Sequence, residues 1–204
     1  MNIKAVFFDY GQVISLPLDP RAMDALSEMA GVERAKFEPL LWSLRGEYDR
    51  GTITVRAYYG KILLSLGISL DDKTIGEMIE MDLAMWKNTN PGTVELMEDV
   101  KKAGYLLGIL SNMPHDFVAW ARENVPALSL PDICMFSCEL GLIKPEQAIF
   151  RKLLSLTGLE SSEVVFFDDY HENISSARAL GINAFQWEGP EKARQELLSL
   201  GVKL

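Results

Sequence analysis

Three apolar runs in this chain each end in residues able to do chemistry. Residues 5–8, Ala-Val-Phe-Phe, lead into Asp9, and Gly11 follows two positions later. Residues 105–110 lead into Ser111-Asn112, and residues 164–167 lead into Asp168-Asp169. Between the second and third runs, Lys144 directly precedes Pro145. Three carboxylates, a hydroxyl and an ammonium gathered in one place would suit phosphoryl transfer. Grouped carboxylates repel one another unless a cation neutralises them, and hard oxygen ligands select Mg²⁺. A carboxylate can also attack phosphorus and form an aspartyl-phosphate. A hydroxyl, backbone N–H groups and a lysine then hold the phosphoryl oxygens and spread their charge. Each residue alone has a plainer use: the Asp pair as a helix N-cap, Ser111 in a turn, Lys144 as a solvated surface lysine. Their order along one chain favours a shared site.

The elements around them would supply the convergence. Apolar runs of this kind suit strands buried on both faces of a parallel sheet, whose carboxyl ends all lie along one edge. Residues 133–137 and 184–187 read as two further short strands. Helical periodicity separates the strands: from Asn90-Pro91 to Gly104, over 114–123, from Pro145 to Gly158, over 172–180 and over 191–200. Strands alternating with helices imply right-handed crossovers, and therefore an α/β, Rossmann-like parallel sheet with helices on both faces. Residues 15–88 do not fit that alternation. They read as helices over 20–29, 34–44, 54–66 and 70–86, with a short polar turn between Gly46 and Gly51. A stretch this long exceeds an ordinary crossover. It is expected to be an all-helical cap subdomain inserted after the first strand, with residues 1–14 and 89–204 forming the core domain.

Composition bounds the partners. Of 204 residues, 48% are hydrophobic, enough for a substantial core, and the formal net charge is -9. An acidic chain without clustered Lys and Arg argues against a nucleic-acid surface. An anionic substrate would meet a repulsive overall field and would need a local cation. No apolar run approaches the length of a membrane span. The first residues lack the basic and apolar regions of a secretory leader, so a cytoplasmic location is expected. Cys134 and Cys138 are too few for a disulfide scaffold or a complete zinc site.

Taken together, the motifs Phe7-Phe8-Asp9-Tyr10-Gly11-Gln12-Val13, Ile109-Leu110-Ser111-Asn112, Ile143-Lys144-Pro145 and Phe166-Phe167-Asp168-Asp169 resemble those of the haloacid-dehalogenase-like (HAD) hydrolase superfamily. The resemblance spans essentially the whole chain. It implies Asp9 as nucleophile, and Ser111 with the Asn112 backbone as phosphoryl-binding groups. It implies that Lys144 neutralises the phosphoryl group and Asp9. Mg²⁺ would be held by Asp9, the Gly11 carbonyl, Asp168 and Asp169, and Asn173 would orient the last loop. The implied partner is a small phosphorylated metabolite.

One position departs from the family pattern. The first motif usually carries a second Asp where this chain has Gly11, and that residue shuttles a proton to and from the leaving oxygen. A positioned acid or base contributes about 10²–10⁴-fold. The chain is therefore expected to act on esters with good leaving groups, to draw the proton from elsewhere (Asp19, Glu47, water or the substrate), or to bind a phosphorylated ligand with weakened catalysis. The Asp-x-Gly-x-Val form resembles a branch containing sugar-phosphate phosphatases. The alternative is metal-independent 2-haloacid dehalogenation, which uses the same first Asp, but the acidic pair Asp168-Asp169 argues against it. His115 and His171 are expected as solvated loop histidines, and Trp42, Tyr48, Tyr58 and Trp86 mainly as packing, with one or two facing the cleft. Tyr10 reaches the cleft only if the turn after the strand exposes it.

Overall fold

The computed structural model describes residues 2–204. Five strands, β1 (Ala5–Phe8), β2 (Leu106–Ser111), β3 (Ile133–Phe136), β4 (Val164–Asp168) and β5 (Asn183–Gln186), form one sheet in the order β3-β2-β1-β4-β5. Every adjacent pair is parallel. β1 is central, and the chain leaves it first toward β2 and later returns to its other side at β4. The reversal of strand order at β1 opens a crevice beyond the carboxyl ends of the strands, where open α/β sheets hold ligands.

Two apolar cores cover the two faces. Val6, Phe8, Leu107, Ile109, Val165 and Phe167 point to one, and Ala5, Phe7, Leu110, Val164 and Phe166 to the other. The period-2 pleat that produces this division also orients the site. Helices α6 (Pro91–Lys102), α7 (His115–Asn124), α8 (Ser137–Leu140), α9 (Gln147–Thr157), α10 (His171–Arg178) and α11 (Pro190–Ser199) connect or follow the strands. Asn90 caps α6 by accepting the Gly92 N–H at 3.1 Å, with Pro91 at the first helical position. The helix expected to begin at Pro145 begins at Gln147. Residues 143–146 instead form a turn in which the Glu146 N–H donates to the Ile143 carbonyl at 2.9 Å.

Phe7 has a specific neighbour. It pairs in register with Gly108 on β2, and a Cβ built on Gly108 would stand 2.1 Å from the Phe7 ring. The ring lies across the glycine, so Gly108→Ala is expected to destabilise the fold by about 1–3 kcal/mol through overpacking. Urea unfolding should show a lower midpoint at unchanged slope. An unchanged midpoint would contradict the contact.

Residues between β1 and α6 form five helices: α1 (Pro20–Met29), α2 (Arg34–Ser43), α3 (Arg45–Asp49), α4 (Val55–Leu66) and α5 (Asp72–Met85). They bury their own cluster, including Leu26, Phe37, Leu41, Tyr58, Ile62 and Met78. Gly67 ends α4 at φ +70°, a backbone conformation that glycine adopts without a Cβ penalty. The stretch expected as a polar turn between Gly46 and Gly51 contains α3, because Arg45 and Asp49 pair four residues apart and Tyr48 is buried against Tyr58. The chain enters and leaves this helical segment side by side, with Ser15 bridging Thr89 and the Asn90 N–H donating to the Ile14 carbonyl at 2.8 Å.

Candidate active site

The register of β1 with β4 brings two carboxylates together. Phe8 pairs with Phe167, so the next residues, Asp9 and Asp168, stand side by side. The pleat that buries Phe7 and Phe166 on one face turns Asp9 and Asp168 toward that same face. Lys144 reaches between them. Its Nζ is 2.8 Å from Asp9 Oδ1 and 2.5 Å from Asp168 Oδ2, with the Phe166 ring beneath it at 5.4 Å. Asp9 is 7% exposed, Lys144 3% and Asp168 0%. An ammonium this deep is held by its charges. Burial opposes it, but Asp168 and Asp9 outweigh that cost and keep its pKa above the usual lysine range.

Further contacts position Asp168 and Lys144. Asn173 Nδ2 donates to both oxygens of Asp168, at 2.9 and 3.0 Å, and the Tyr170 N–H donates to Asp168 Oδ1 at 2.8 Å. The Asn112 side chain clamps the Lys144 peptide, accepting its N–H at 2.8 Å and donating to its carbonyl at 2.9 Å. From the helical segment, Arg50 donates to the Gly141 carbonyl at 3.1 Å and pairs with Glu146, bracing the same loop. Ser111, at the end of β2, lines the same cavity as Asp9 and Lys144.

The loop after Asp9 is a wide turn, closed by the Ser15 N–H donating to the Tyr10 carbonyl at 2.8 Å. Within it Gln12 adopts φ +57°, a left-handed conformation that is costly for a residue with a side chain. Two hydrogen bonds hold it there. Its N–H donates to Ser15 Oγ at 2.8 Å, and its Nε2 donates to Asp169 Oδ2 at 2.8 Å. Gln12 therefore ties the first motif to the last. No signal in the sequence distinguishes this glutamine from a surface residue, because the contact spans 157 positions.

Asp9, Asp168 and Asp169 each offer an oxygen within 4.8 Å of the others. Burial pushes the Asp9 carboxyl up, to about 7, with Lys144 opposing and Asp168 and Asp169 adding to the rise. Asp169 is raised as well, by burial first and then by Asp168. Three carboxylates facing one ammonium leave an excess of negative charge, and Asp9 Oδ1 is buried without a hydrogen bond of acceptable geometry. An all-oxygen donor set with uncompensated charge fits a hard divalent cation.

The cavity above these groups has a volume of about 620 Å³. Its walls include Tyr10, Gly11, Gln12 and Phe117 from the core and Trp42, Arg45, Asp49 and Trp86 from the helical segment. Tyr10 thus reaches the cavity, and its hydroxyl donates to the Trp86 carbonyl at 2.8 Å. Of the four aromatics named from the sequence, Trp42 and Trp86 line the cavity, while Tyr48 and Tyr58 stack in the interior of the helical segment. Neither carboxylate named as a proton source is in the walls. Asp19 caps α1 and pairs with the exposed Arg21, and Glu47 pairs with Lys61 at the surface. His115 packs near Gly51, where a Cβ would meet its Nε2 at 2.7 Å, and His171 lies 3.2 Å from Ser175 Oγ; neither lines the cavity. Arg45 and Asp49, which do line it, are visible in sequence only as a charged pair at i, i+4.

A parallel α/β sheet with buried carboxylates and a lysine at its switch point places these groups where open α/β sheets bind ligands. Residues 3–181 match the haloacid dehalogenase-like hydrolase family, and the chain belongs to it. It is 29% identical to the D-ribitol-5-phosphate phosphatase of Bacteroides thetaiotaomicron, over 96% of this chain and 97% of that protein. It is 23% identical to Phosphatase MT3486 of Mycobacterium tuberculosis, over 100% of this chain and 98% of that protein. Among solved structures, the HAD-family enzyme bt-2542 of B. thetaiotaomicron, in complex with magnesium and inorganic phosphate, superposes with a TM-score of 0.72. That match is 20% identical and covers 90% of this chain and 93% of the other, so it establishes the shared fold.

Proposed function

We propose that this chain is a Mg²⁺-dependent phosphatase of small phosphorylated metabolites, sugar phosphates among them, working through a phosphoryl group carried on Asp9. The observation that carries this reading is Lys144 Nζ set between Asp9 and Asp168 at 2.8 and 2.5 Å, inside a cavity large enough for a sugar phosphate. A phosphate monoester entering here brings about 1.5–2 negative charges at pH 7, and Lys144 is placed to meet them. The phosphatase names of two full-length relatives agree with this reading. No helix among the described residues is long and apolar enough to cross a membrane.

The roles follow from position. Asp9 Oδ attacks phosphorus from the sheet edge. The Ser111 hydroxyl and the Asn112 N–H hold phosphoryl oxygens, while the Asn112 side chain keeps Lys144 in place. Lys144 offsets charge on Asp9 before attack and on the phosphoryl group during transfer. Asp9, the Gly11 carbonyl, Asp168 and Asp169 would hold Mg²⁺, which supplies charge neutralisation and orientation of the phosphoryl oxygens. Asn173 fixes the Asp168 carboxylate. Residues 15–88 act as the cap that closes over the cavity and selects the leaving group, on the core formed by 1–14 and 89–204.

A panel of sugar phosphates and acyl phosphates, assayed with Mg²⁺ and with EDTA, tests the reading. Hydrolysis is expected with Mg²⁺, to fall at least about 100-fold in EDTA, and to return on adding Mg²⁺. Turnover indifferent to EDTA would refute it. Metal-free halide release from 2-chloropropionate would establish the dehalogenase alternative instead.

A further inference from the structure

We propose that Asp49, on the inserted helical segment, gives a proton to the leaving oxygen and takes one from the attacking water, replacing the carboxylate that Gly11 lacks. The inference rests on the phosphatase reading above. Among the described residues lining the cavity, the carboxylates are Asp9, Asp49 and Asp169. Asp9 and Asp169 belong to the acidic cluster at the sheet edge. Asp49 is the carboxylate that remains, and it enters from the helical segment.

The wall beside residue 11 is already filled. A Cβ on Gly11 would stand 3.3 Å from the Trp86 ring, tighter than ordinary van der Waals contact. Trp86 occupies the space toward which a side chain at position 11 would begin. An aromatic surface therefore borders the position where the family pattern carries its second Asp. The leaving group, packed against that surface, has Asp49 as the available acid.

Asp49 is held in place by contacts that belong to the core. Its carbonyl accepts a hydrogen bond from Ser137 Oγ, and Ser137 Oγ in turn accepts the Met113 N–H at 2.9 Å. Met113 is two residues beyond Ser111, so the backbone of Asp49 is bolted to the loop assigned to the phosphoryl group. Its side chain is aimed by Arg45, whose Nε donates to Asp49 Oδ1 at 2.9 Å. Arg45 does not belong to Asp49 alone. Its Nη1 also faces Asp82 at 3.3 Å, and Tyr59 OH donates to Asp82 at 3.1 Å. Among the described residues no hydrogen bond engages Asp49 Oδ2. The charged and titratable groups around Asp49 are Arg45, Asp82, Lys144, Tyr48, Tyr58 and Cys138. Asp49 is 8% exposed, and burial raises its carboxyl pKa even against Arg45. That direction favours a group able to hold a proton and release it.

The two half-reactions balance. In the first, Asp9 Oδ forms a bond to phosphorus, the bond from phosphorus to the leaving oxygen breaks, and that oxygen takes its electron pair and the Asp49 proton to leave as an alcohol. In the second, a water oxygen bonds to phosphorus while its proton passes to the Asp49 carboxylate. The bond to Asp9 breaks, orthophosphate is released, and both carboxyl groups return to their starting states.

The test compares Asp49→Asn with wild type on a simple alkyl phosphate and on acetyl phosphate, whose leaving group needs no proton. kcat/KM reports the first half-reaction. The ratio of kcat/KM on the alkyl phosphate to that on acetyl phosphate is expected to fall about 10²–10⁴-fold in Asp49→Asn, the contribution of a positioned acid. Asp49→Glu should restore much of that ratio. The decline of wild-type kcat/KM on the alkyl phosphate with rising pH should disappear in Asp49→Asn. An equal loss on both substrates would make Asp49 a packing residue and overturn the inference, as would no loss. If Asp49→Asn does not fold, wild type alone decides through a series of substituted phenyl phosphates. A shallow dependence on leaving-group pKa supports the internal acid, and a steep one overturns it. Wild type inactive on every phosphate would instead mean that the phosphatase reading itself has failed.

Discussion

Asp9→Asn is expected to lower Mg²⁺-dependent phosphate release on the order of 10⁴-fold or more, the scale seen when a covalent nucleophile is removed from a hydrolase. The amide has no anionic oxygen to attack phosphorus, and its NH₂ in place of one oxygen would face the Lys144 ammonium. The protein should nevertheless fold. Asp9 sits at 7% exposure beside two other carboxylates, and its raised pKa means that the fold disfavours its charged form when no cation is bound. A neutral amide avoids that penalty while giving up the pairing with Lys144. Thermal unfolding in EDTA is therefore expected within a few degrees of wild type, while added Mg²⁺ stabilises the variant less than wild type. Wild-type turnover in Asp9→Asn would remove Asp9 from the mechanism. A folded, inactive variant would separate loss of chemistry from loss of structure.

Lys144→Met should damage both stability and activity. It leaves Asp9 and Asp168 facing each other at 7% and 0% exposure with no cation between them. Removing one partner of a buried ion pair costs about 3–5 kcal/mol, because the other charge stays buried and uncompensated. In a chain of this size that corresponds to a fall in Tm of roughly 6–20 °C. The loss should be greatest in EDTA and partly recovered by Mg²⁺, since a bound divalent cation supplies some of the missing positive charge. Turnover at saturating Mg²⁺ should fall about 10²–10³-fold, the scale of losing one transition-state electrostatic contact. An unchanged Tm in EDTA would show that the carboxylates had already been neutralised some other way.

The two variants probe residues legible from the sequence, and the reasons they were legible are local. Asp9, Ser111 and Asp168 each close a short apolar run, so strand length and sheet edge were readable from neighbours a few positions away. Lys144 was found through Pro145 and through its order among the other motifs. The helical insertion stood out because four apolar-periodic stretches interrupt a regular alternation. What escaped notice depends on contacts across long separations. Gln12 meets Asp169 over 157 positions, and Arg45 meets Asp82 over 37. Asn112 was singled out for its backbone, yet its side chain is spent on the Lys144 peptide 32 positions away. Asp19 and Glu47 are carboxylates in the right segment, but each folds back onto a surface cation.

The alternating α/β order, the parallel sheet and the polar strand ends are encoded locally along the chain. Those properties follow from side-chain periodicity and from the residues that stop strands and helices, and both act over a few positions. That Asp49 lines the cavity while Asp19 and Glu47 do not emerges from tertiary packing. The helical segment packs so that the Trp86 ring meets Gly11 and the Asp49 carbonyl meets Ser137 Oγ. That outcome depends on how two separately buried clusters meet, and no local pattern encodes the meeting.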